Sequence, residues 1–168
     1  DLCSGARGGV AERALEVSIQ PLTIDLAPEL AALHAHAFPE PEAWAESAFE
    51  ASLAQPANLG FGFSHQNVLT SLILIQSVAQ EIEILTLATD PTARRQGFAQ
   101  SLMSHIDTEL KPERWLLDVA EDNPGAIRFY EKLGFQIDGR RSRYYNRLEG
   151  ARVDAILMST RLGGQTPT

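Results

Sequence analysis

The sequence predicts a single mixed α/β domain, α+β-like, with a central and mostly antiparallel sheet flanked by helices. Short apolar segments of strand length recur along the chain, and segments of helical spacing separate some of them. One strand–helix–strand unit lies in the middle, and a pair of strands joined that way runs parallel, with a right-handed crossover. The 168 residues are 44% apolar, which suits one domain with a real core. The domain is expected over residues 17–162. Residues 1–16, with acids and glycines mixed through them, read as a loose leader or remnant, and residues 163–168 as a tail.

The elements follow in order. Val17, Ile19, Leu22 and Ile24 mark a first strand, and Pro21 makes it an edge strand or a broken one. Residues 28–38 form a helix, stopped by Pro39 and Pro41. Residues 44–53 form a second, with Trp44, Ala48, Phe49 and Leu53 on one face. Three strands come next, at 59–64, 68–79 and 81–89, with a turn at Gln66-Asn67. They read as an antiparallel meander. A long helix starts near Gln96, carries Phe98, Leu102, Met103, Ile106 and Leu110 at helical spacing, and ends at Pro112. Residues 114–119 are a short buried strand. Asn123 and Pro124 open another helix, Asn as a cap and Pro in the first turn, and Gly134 terminates it. Strands at 135–145 and 151–162 complete the chain.

Charge and composition exclude several classes. With 22 acids against 14 bases, the net charge of -8 disfavours nucleic acid, which needs a basic surface, and suits a cationic partner. Cys3 is the single cysteine, so no internal disulfide forms, consistent with a reducing compartment. Its neighbours offer nothing to activate the thiol. The longest apolar run, near Leu72 to Ile75, is too short to span a bilayer. His34 and His36 do not share a helix face, and no ligand spacing supports zinc, so no metal is expected.

The sharpest local feature is Arg94-Arg95-Gln96-Gly97-Phe98-Ala99, which follows a strand and opens a helix. Free N–H groups and the partial positive charge of a helix N-terminus bind anions. Gly97 and Ala99 let backbone approach a diphosphate, and the arginines add charge. Taken alone, these six residues suit a basic helix start with a packing glycine equally well.

A second feature separates the two readings. The strand before the cradle ends Leu85-Thr86-Leu87-Ala88-Thr89-Asp90-Pro91, and further on stands Asn123-Pro124-Gly125-Ala126-Ile127-Arg128-Phe129-Tyr130-Glu131-Lys132-Leu133-Gly134-Phe135. With both signatures in this order, the sequence resembles the GNAT superfamily of N-acetyltransferases across nearly the whole of residues 17–162. Within it, the chain is most similar to the ribosomal-protein alanine N-acetyltransferase (RimI-like) branch. The narrower likeness rests on His36-Ala37-Phe38-Pro39, on Arg140-Arg141 leading to Tyr144-Tyr145, and on Asp154-Ala155-Ile156-Leu157-Met158.

The resemblance implies a fold and a chemistry. The fold is an acyl-CoA N-acyltransferase domain whose parallel strand pair splays apart. Acetyl-CoA is the cosubstrate, and a neutral amine attacks its thioester directly. Backbone of Leu87 and Thr89 would pair with the pantetheine arm as an added strand. The amide near Ala88 would polarise the thioester carbonyl. Amides of the segment Arg95, Gln96, Gly97, Phe98, Ala99 and Gln100 would hold the pyrophosphate, with Arg94 beside them. Asn123 would bond the pantetheine arm, and Tyr130 would protonate the departing thiolate. The branch uses a Glu as base on the strand before the Asn helix. This chain has Asp118 there, one methylene shorter, and Glu83 is the rival.

The acceptor is the open question at this stage. A protein N-terminal α-amine, such as that of a small-subunit ribosomal protein, is the leading expectation, since an α-amine reaches its neutral form more readily than a lysine. A small amine such as an amino acid, polyamine or antibiotic is the alternative, and a non-catalytic acetyl-CoA sensor is a third. No membrane or nucleic-acid partner is expected, the location is expected to be cytoplasmic, and monomer and homodimer are both compatible with the sequence. Trp44, Phe49 and Phe38 suit core packing or an acceptor groove. Arg140, Arg141 and Arg143 suit a solvated strand face or an acidic ligand, and Tyr144 and Tyr145 are placed to bracket a peptide.

Overall fold

The computed structural model describes residues 17–161; the expected leader, the tail and the last residue of the final strand lie outside them. The order is β1 (Val17–Pro21), α1 (Ala27–Ala37), α2 (Glu46–Leu53), β2 (Asn58–His65), β3 (Val68–Val78), β4 (Glu81–Thr89), α3 (Phe98–Leu110), β5 (Arg114–Ala120), α4 (Pro124–Lys132), β6 (Gln136–Asn146) and β7 (Arg152–Arg161), with single 3-10 turns before α1 and before α3. The strands form one seven-stranded sheet in the order β1-β2-β3-β4-β5-β7-β6. Only β4 and β5 pair in parallel; every other neighbouring pair is antiparallel. β1, with its Pro21, is an edge strand as its sequence requires.

Tight hairpins build the meander. Gln66 and Asn67 both have positive φ, and so do Ala79 and Gln80, the geometry that matches strand twist in a two-residue turn. β3 is buried on both faces, which explains its continuous apolar run. Leu72 and Leu74 point to a core with Leu22, Ala27, Leu30, Leu33 and Phe49, under α1 and α2. Ile73 and Ile75 point to the opposite core, with Leu102, Met103, Ile106, Trp115 and Met158, under α3 and α4. Gly62 in β2 is a close approach: a Cβ there would stand 2.6 Å from Leu69 Cδ1 and 2.8 Å from Leu22 Cδ2.

Several elements differ from expectation. β1 ends at Pro21, so Leu22 lies beyond it and Ile24 opens a 3-10 turn. Trp44 lies in the loop before α2, because its backbone N–H is drawn off to a histidine ring, described below. The third helix starts at Phe98, since Gly97 at φ 80° lies outside helical space. The strand expected at 135–145 is broken: the β6–β7 ladder jumps between Arg141 and Tyr145. Arg143 sits there at φ 53°, and its N–H donates to Asp154 Oδ1 at 2.9 Å. The bulge re-aims Tyr144 and Tyr145 out of the regular pleat.

Candidate active site

The site begins where β4 and β5 part. Their ladder joins residues 81–84 to residues 114–117 and stops there. At the same point, Thr86 faces Leu74 while Ile84 faces Ile75, so Leu85 is an extra, bulged residue. The bulge bends β4 away from β5 and exposes the edge of residues 85–89. A cleft of about 1050 Å³ fills the opening, ample for a nucleotide-sized ligand. Its walls include residues 84–89 of β4, residues 117–120 of β5, the start of α3, one face of α4, and parts of the loop at 38–45 and of the β6 bulge.

One end of the cleft presents free amides and cations. No side chain caps α3, and its first internal bond runs from Ser101 N–H to Gly97 C=O at 2.9 Å. The amides of Phe98, Ala99 and Gln100 are therefore the orphan donors of the first turn. Nothing lies within 4 Å of a Cβ built on Gly97, so this glycine is required by its left-handed φ, and the space above it is open to ligand. Arg95 is also left-handed, at φ 66°. Arg94, Arg95, Gly97, Phe98, Ala99 and Gln100 line the cleft, and Gln96 does not. Arg128 and Lys132 on α4 line it too, two cations that the motif reading did not single out. Their spacing of four residues along a helix is the signal that could have found them.

Asn123 both caps α4 and faces the cleft. Its Oδ1 accepts from Ala126 N–H at 3.2 Å, which leaves its amide donors free for a ligand carbonyl. Tyr130, two helical turns further, is 7% exposed, lines the cleft, and packs edge-on against Phe129 and Phe135. Burial, followed by the neighbouring Tyr145, pushes its hydroxyl pKa well above the usual tyrosine range, so it carries its proton at any neutral pH. Asp118 lines the same cleft from β5, and burial raises its pKa while Arg141 pulls the other way. Leu87, Ala88 and Thr89 lie along the exposed edge of β4. Glu83 is elsewhere: it stands opposite Leu116 in the part of β4 still bonded to β5, before the cleft opens.

The opposite end is walled by Phe38, Pro41, Glu42, Trp44, Tyr144 and Tyr145. The two tyrosine rings meet edge to face at 5.0 Å. Burial, then the charges of Glu42 and Asp118, raises the Tyr145 pKa, so that hydroxyl too remains protonated. Of the strand arginines, Arg140 pairs with Glu121 and Asp154, and Arg141 lies over the Tyr144 ring at 5.6 Å.

His34, which sequence reasoning dismissed as a ligand and left without a role, ties this end together. It is 1% exposed and stacks on Phe38 at 4.4 Å. Trp44 N–H donates to its Nδ1 at 3.0 Å, so the proton of the neutral ring sits on Nε2, which donates to Thr86 Oγ1 at 2.7 Å. The ring thus fastens the 38–45 loop to β4. Burial lowers its pKa from 6.5 to about 4. The unfolded chain binds this proton more tightly, so the contribution is full above pH 6.5 and is lost as pH falls to about 4, amounting to about 3 kcal/mol. Urea unfolding at about pH 7 and about pH 4.5 is expected to show this loss, and His34→Gln to reduce it. An unchanged pH slope in the variant would assign the loss to other groups.

Comparison with known proteins agrees with this geometry. Residues 27–135 match the acetyltransferase (GNAT) family. The [ribosomal protein bS18]-alanine N-acetyltransferase of Escherichia coli (strain K12) is 33% identical over 129 residues, which are 74% of this chain and 82% of that one. N-alpha-acetyltransferase RimI of Mycobacterium tuberculosis is 32% identical over 146 residues, 84% of this chain and 90% of that one. The crystal structure of the E. coli ribosomal-protein-S18-alanine N-acetyltransferase superposes with a TM-score of 0.78 at 26% identity, over 90% of this chain and 97% of that one. Arabidopsis thaliana NAA60 in complex with acetyl-CoA has the same fold, at a TM-score of 0.74 and 18% identity over 88% and 99% of the chains. The chain belongs to the acetyltransferase (GNAT) family and is an N-acetyltransferase.

Proposed function

We propose that the enzyme moves the acetyl group of acetyl-CoA onto the α-amine of a protein N-terminus, in the manner of the enzymes that modify ribosomal protein S18. The observation that carries this reading is one cleft with an amide-lined anion end, a carboxylate at Asp118, a protonated hydroxyl at Tyr130, and an aromatic mouth. The likeness to the bS18-alanine N-acetyltransferase of E. coli supports the choice of acceptor.

The orphan amides of Phe98, Ala99 and Gln100 receive the pyrophosphate, with Arg94, Arg95, Gln96 and Gly97 forming the loop around it. The free edge at Leu87 and Thr89 pairs with the pantetheine arm, and Asn123 donates to the same arm. The thioester carbonyl then lies at a free amide of that same edge beside Ala88, whose own N–H points to Leu72 of β3, and that edge amide stabilises the oxyanion as it forms. Asp118 accepts the ammonium proton, directly or through a water, and the neutral amine attacks. Tyr130 gives its proton to the sulfur as the C–S bond breaks. Glu83 takes no part. The carboxylates of Glu42 and Asp118 and the faces of Tyr144 and Tyr145 suit a cationic N-terminus at the mouth.

Purified enzyme with acetyl-CoA is expected to add one acetyl group, read by mass, to a short peptide beginning Ala-Arg and none to an N-terminally blocked copy. Transfer to polyamines or amino acids with the peptide untouched would replace this acceptor with a small amine. Binding of acetyl-CoA without transfer to any amine would leave a sensor.

A further inference from the structure

Three elements meet at the acceptor mouth, and one side chain fastens them. Arg147 starts the β6–β7 connection. Its Nε and Nη2 donate to the two carboxylate oxygens of Asp122 at 2.7 Å and 2.5 Å. Its Nη1 lies 3.1 Å from Glu42 Oε2 in the 38–45 loop and 2.9 Å from Asn146 C=O. The guanidinium lies over the Tyr145 ring at 5.9 Å. Arg147 and Glu42 are only 12% and 17% exposed. The other arginines of the sheet are more solvated: Arg114, 3.7 Å from Glu81 and 3.9 Å from Asp138, is 39% exposed, Arg140, 3.2 Å from Glu121, is 63% exposed, and such solvated pairs contribute little.

We propose that Arg147 is a positioning residue for the acceptor, an ionic clamp that holds the Glu42 loop and Tyr145 over the cleft and ties both to the Asp122–Asn123 turn. Arg147 does not itself line the cleft, whereas Glu42, Tyr145 and Asn146 do, so its effect passes through them. The 38–45 loop is neither helix nor strand, and its own bonds are those of one local turn, from Glu42 and Ala43 N–H to Pro39 C=O at 2.9 Å and 3.2 Å. Its attachments near the mouth are His34, which grips Trp44 from within, and Arg147, which grips Glu42 from across the cleft. A planar fork is needed to serve Asp122 with two N–H groups while a third reaches Glu42, and only arginine supplies one. Without the guanidinium, Glu42 would be left as an uncompensated carboxylate in a half-buried mouth that already holds Asp118. The clamp therefore shapes the acceptor end, while Asn123 at the acetyl-CoA side has supports of its own, its N–H on Ala120 C=O at 3.0 Å and its Oδ1 under Ala126 N–H at 3.2 Å. What the loop presents to an acceptor rests on the reading proposed above; the clamp itself does not.

Two readouts test it on the full-length enzyme with acetyl-CoA bound. In hydrogen–deuterium exchange, Arg147→Gln is expected to speed exchange of the amides at 38–45 about tenfold, with Arg147→Lys in between because a single ammonium meets Glu42 without the fork. In kinetics, Arg147→Gln should raise KM for the Ala-Arg peptide about tenfold, with KM for acetyl-CoA within about twofold. Adding Glu42→Gln to Arg147→Gln should speed loop exchange little further, since the two residues hold the loop as one unit. Unchanged loop exchange in Arg147→Gln overturns the clamp. A faster loop with an unchanged peptide KM, or both KM values rising together with a lower Tm, overturns the positioning role. If the wild-type enzyme acetylates no α-amine but its loop still loosens in Arg147→Gln, the acceptor reading fails and the clamp stands.

Discussion

Tyr130→Phe is expected to lower kcat by about a hundred- to a thousandfold at neutral pH, which is the size of a lost general acid. The substitution removes one oxygen and keeps the ring. The edge-on contacts with Phe129 at 5.2 Å and Phe135 at 5.4 Å need only the ring, so thermal stability should hold. The hydroxyl is on α4 and the orphan amides open α3, so acetyl-CoA affinity should stay within a few-fold. The raised pKa of Tyr130 carries a second consequence. Its proton is present throughout the assayable range, so the wild-type pH–rate profile should show no descending limb through mildly alkaline pH. Tyr145, the half-buried phenol at the mouth of the cleft, is the control: Tyr145→Phe should act mainly on acceptor KM. An equal fall of kcat in both variants would mean that neither tyrosine alone is the acid.

Much of this was legible in the residue string, and the reasons are local. The hairpin at Gln66-Asn67, the cap at Asn123 and the terminator at Gly134 depend on nearest-neighbour conformation, which sequence reports directly. The open start of α3 was legible because it depends on a left-handed glycine and the amides after it, not on distant partners. What stayed hidden depends on contacts across the fold. His34 looked like an unremarkable helix residue, since its partners Trp44 and Thr86 come from a loop and from the neighbouring strand. Arg147 carries no motif; its significance comes from Asp122 and Glu42, which the chain brings to it from 25 and 105 positions away. The break in β6 was hidden for the same reason, because Asp154 on the partner strand holds Arg143 in its left-handed turn. The two candidate bases read alike as strand carboxylates, and only the parting of β4 from β5 separates them.

That separation sets the other large effect. Asp118→Asn is expected to lower kcat/KM for the peptide about a hundredfold or more near pH 7, while Glu83→Gln changes it by about twofold or less. Asparagine keeps the shape of the carboxyl but puts an NH2 donor in place of one acceptor oxygen, and it cannot take a proton. The size of the effect should depend on pH in a definite direction. The base is needed to strip the ammonium, and an α-amine has a pKa of about 7.7–8.0. Above that range solvent has already removed the proton, so the gap between wild type and Asp118→Asn should narrow as pH rises toward about 9. Asp118→Glu should keep most of the activity, because the longer chain reaches into the same open cleft. Stability should move the opposite way from activity. Burial raises the Asp118 pKa in the folded state, so the fold disfavours the ionised carboxylate that neutral pH imposes. Removing that charge should leave Tm equal or higher while turnover collapses, the pattern of a residue kept for chemistry at a cost to the fold. A matching fall in Tm and activity would instead make Asp118 a structural carboxylate, and full activity in Asp118→Asn with loss in Glu83→Gln would return the base to β4.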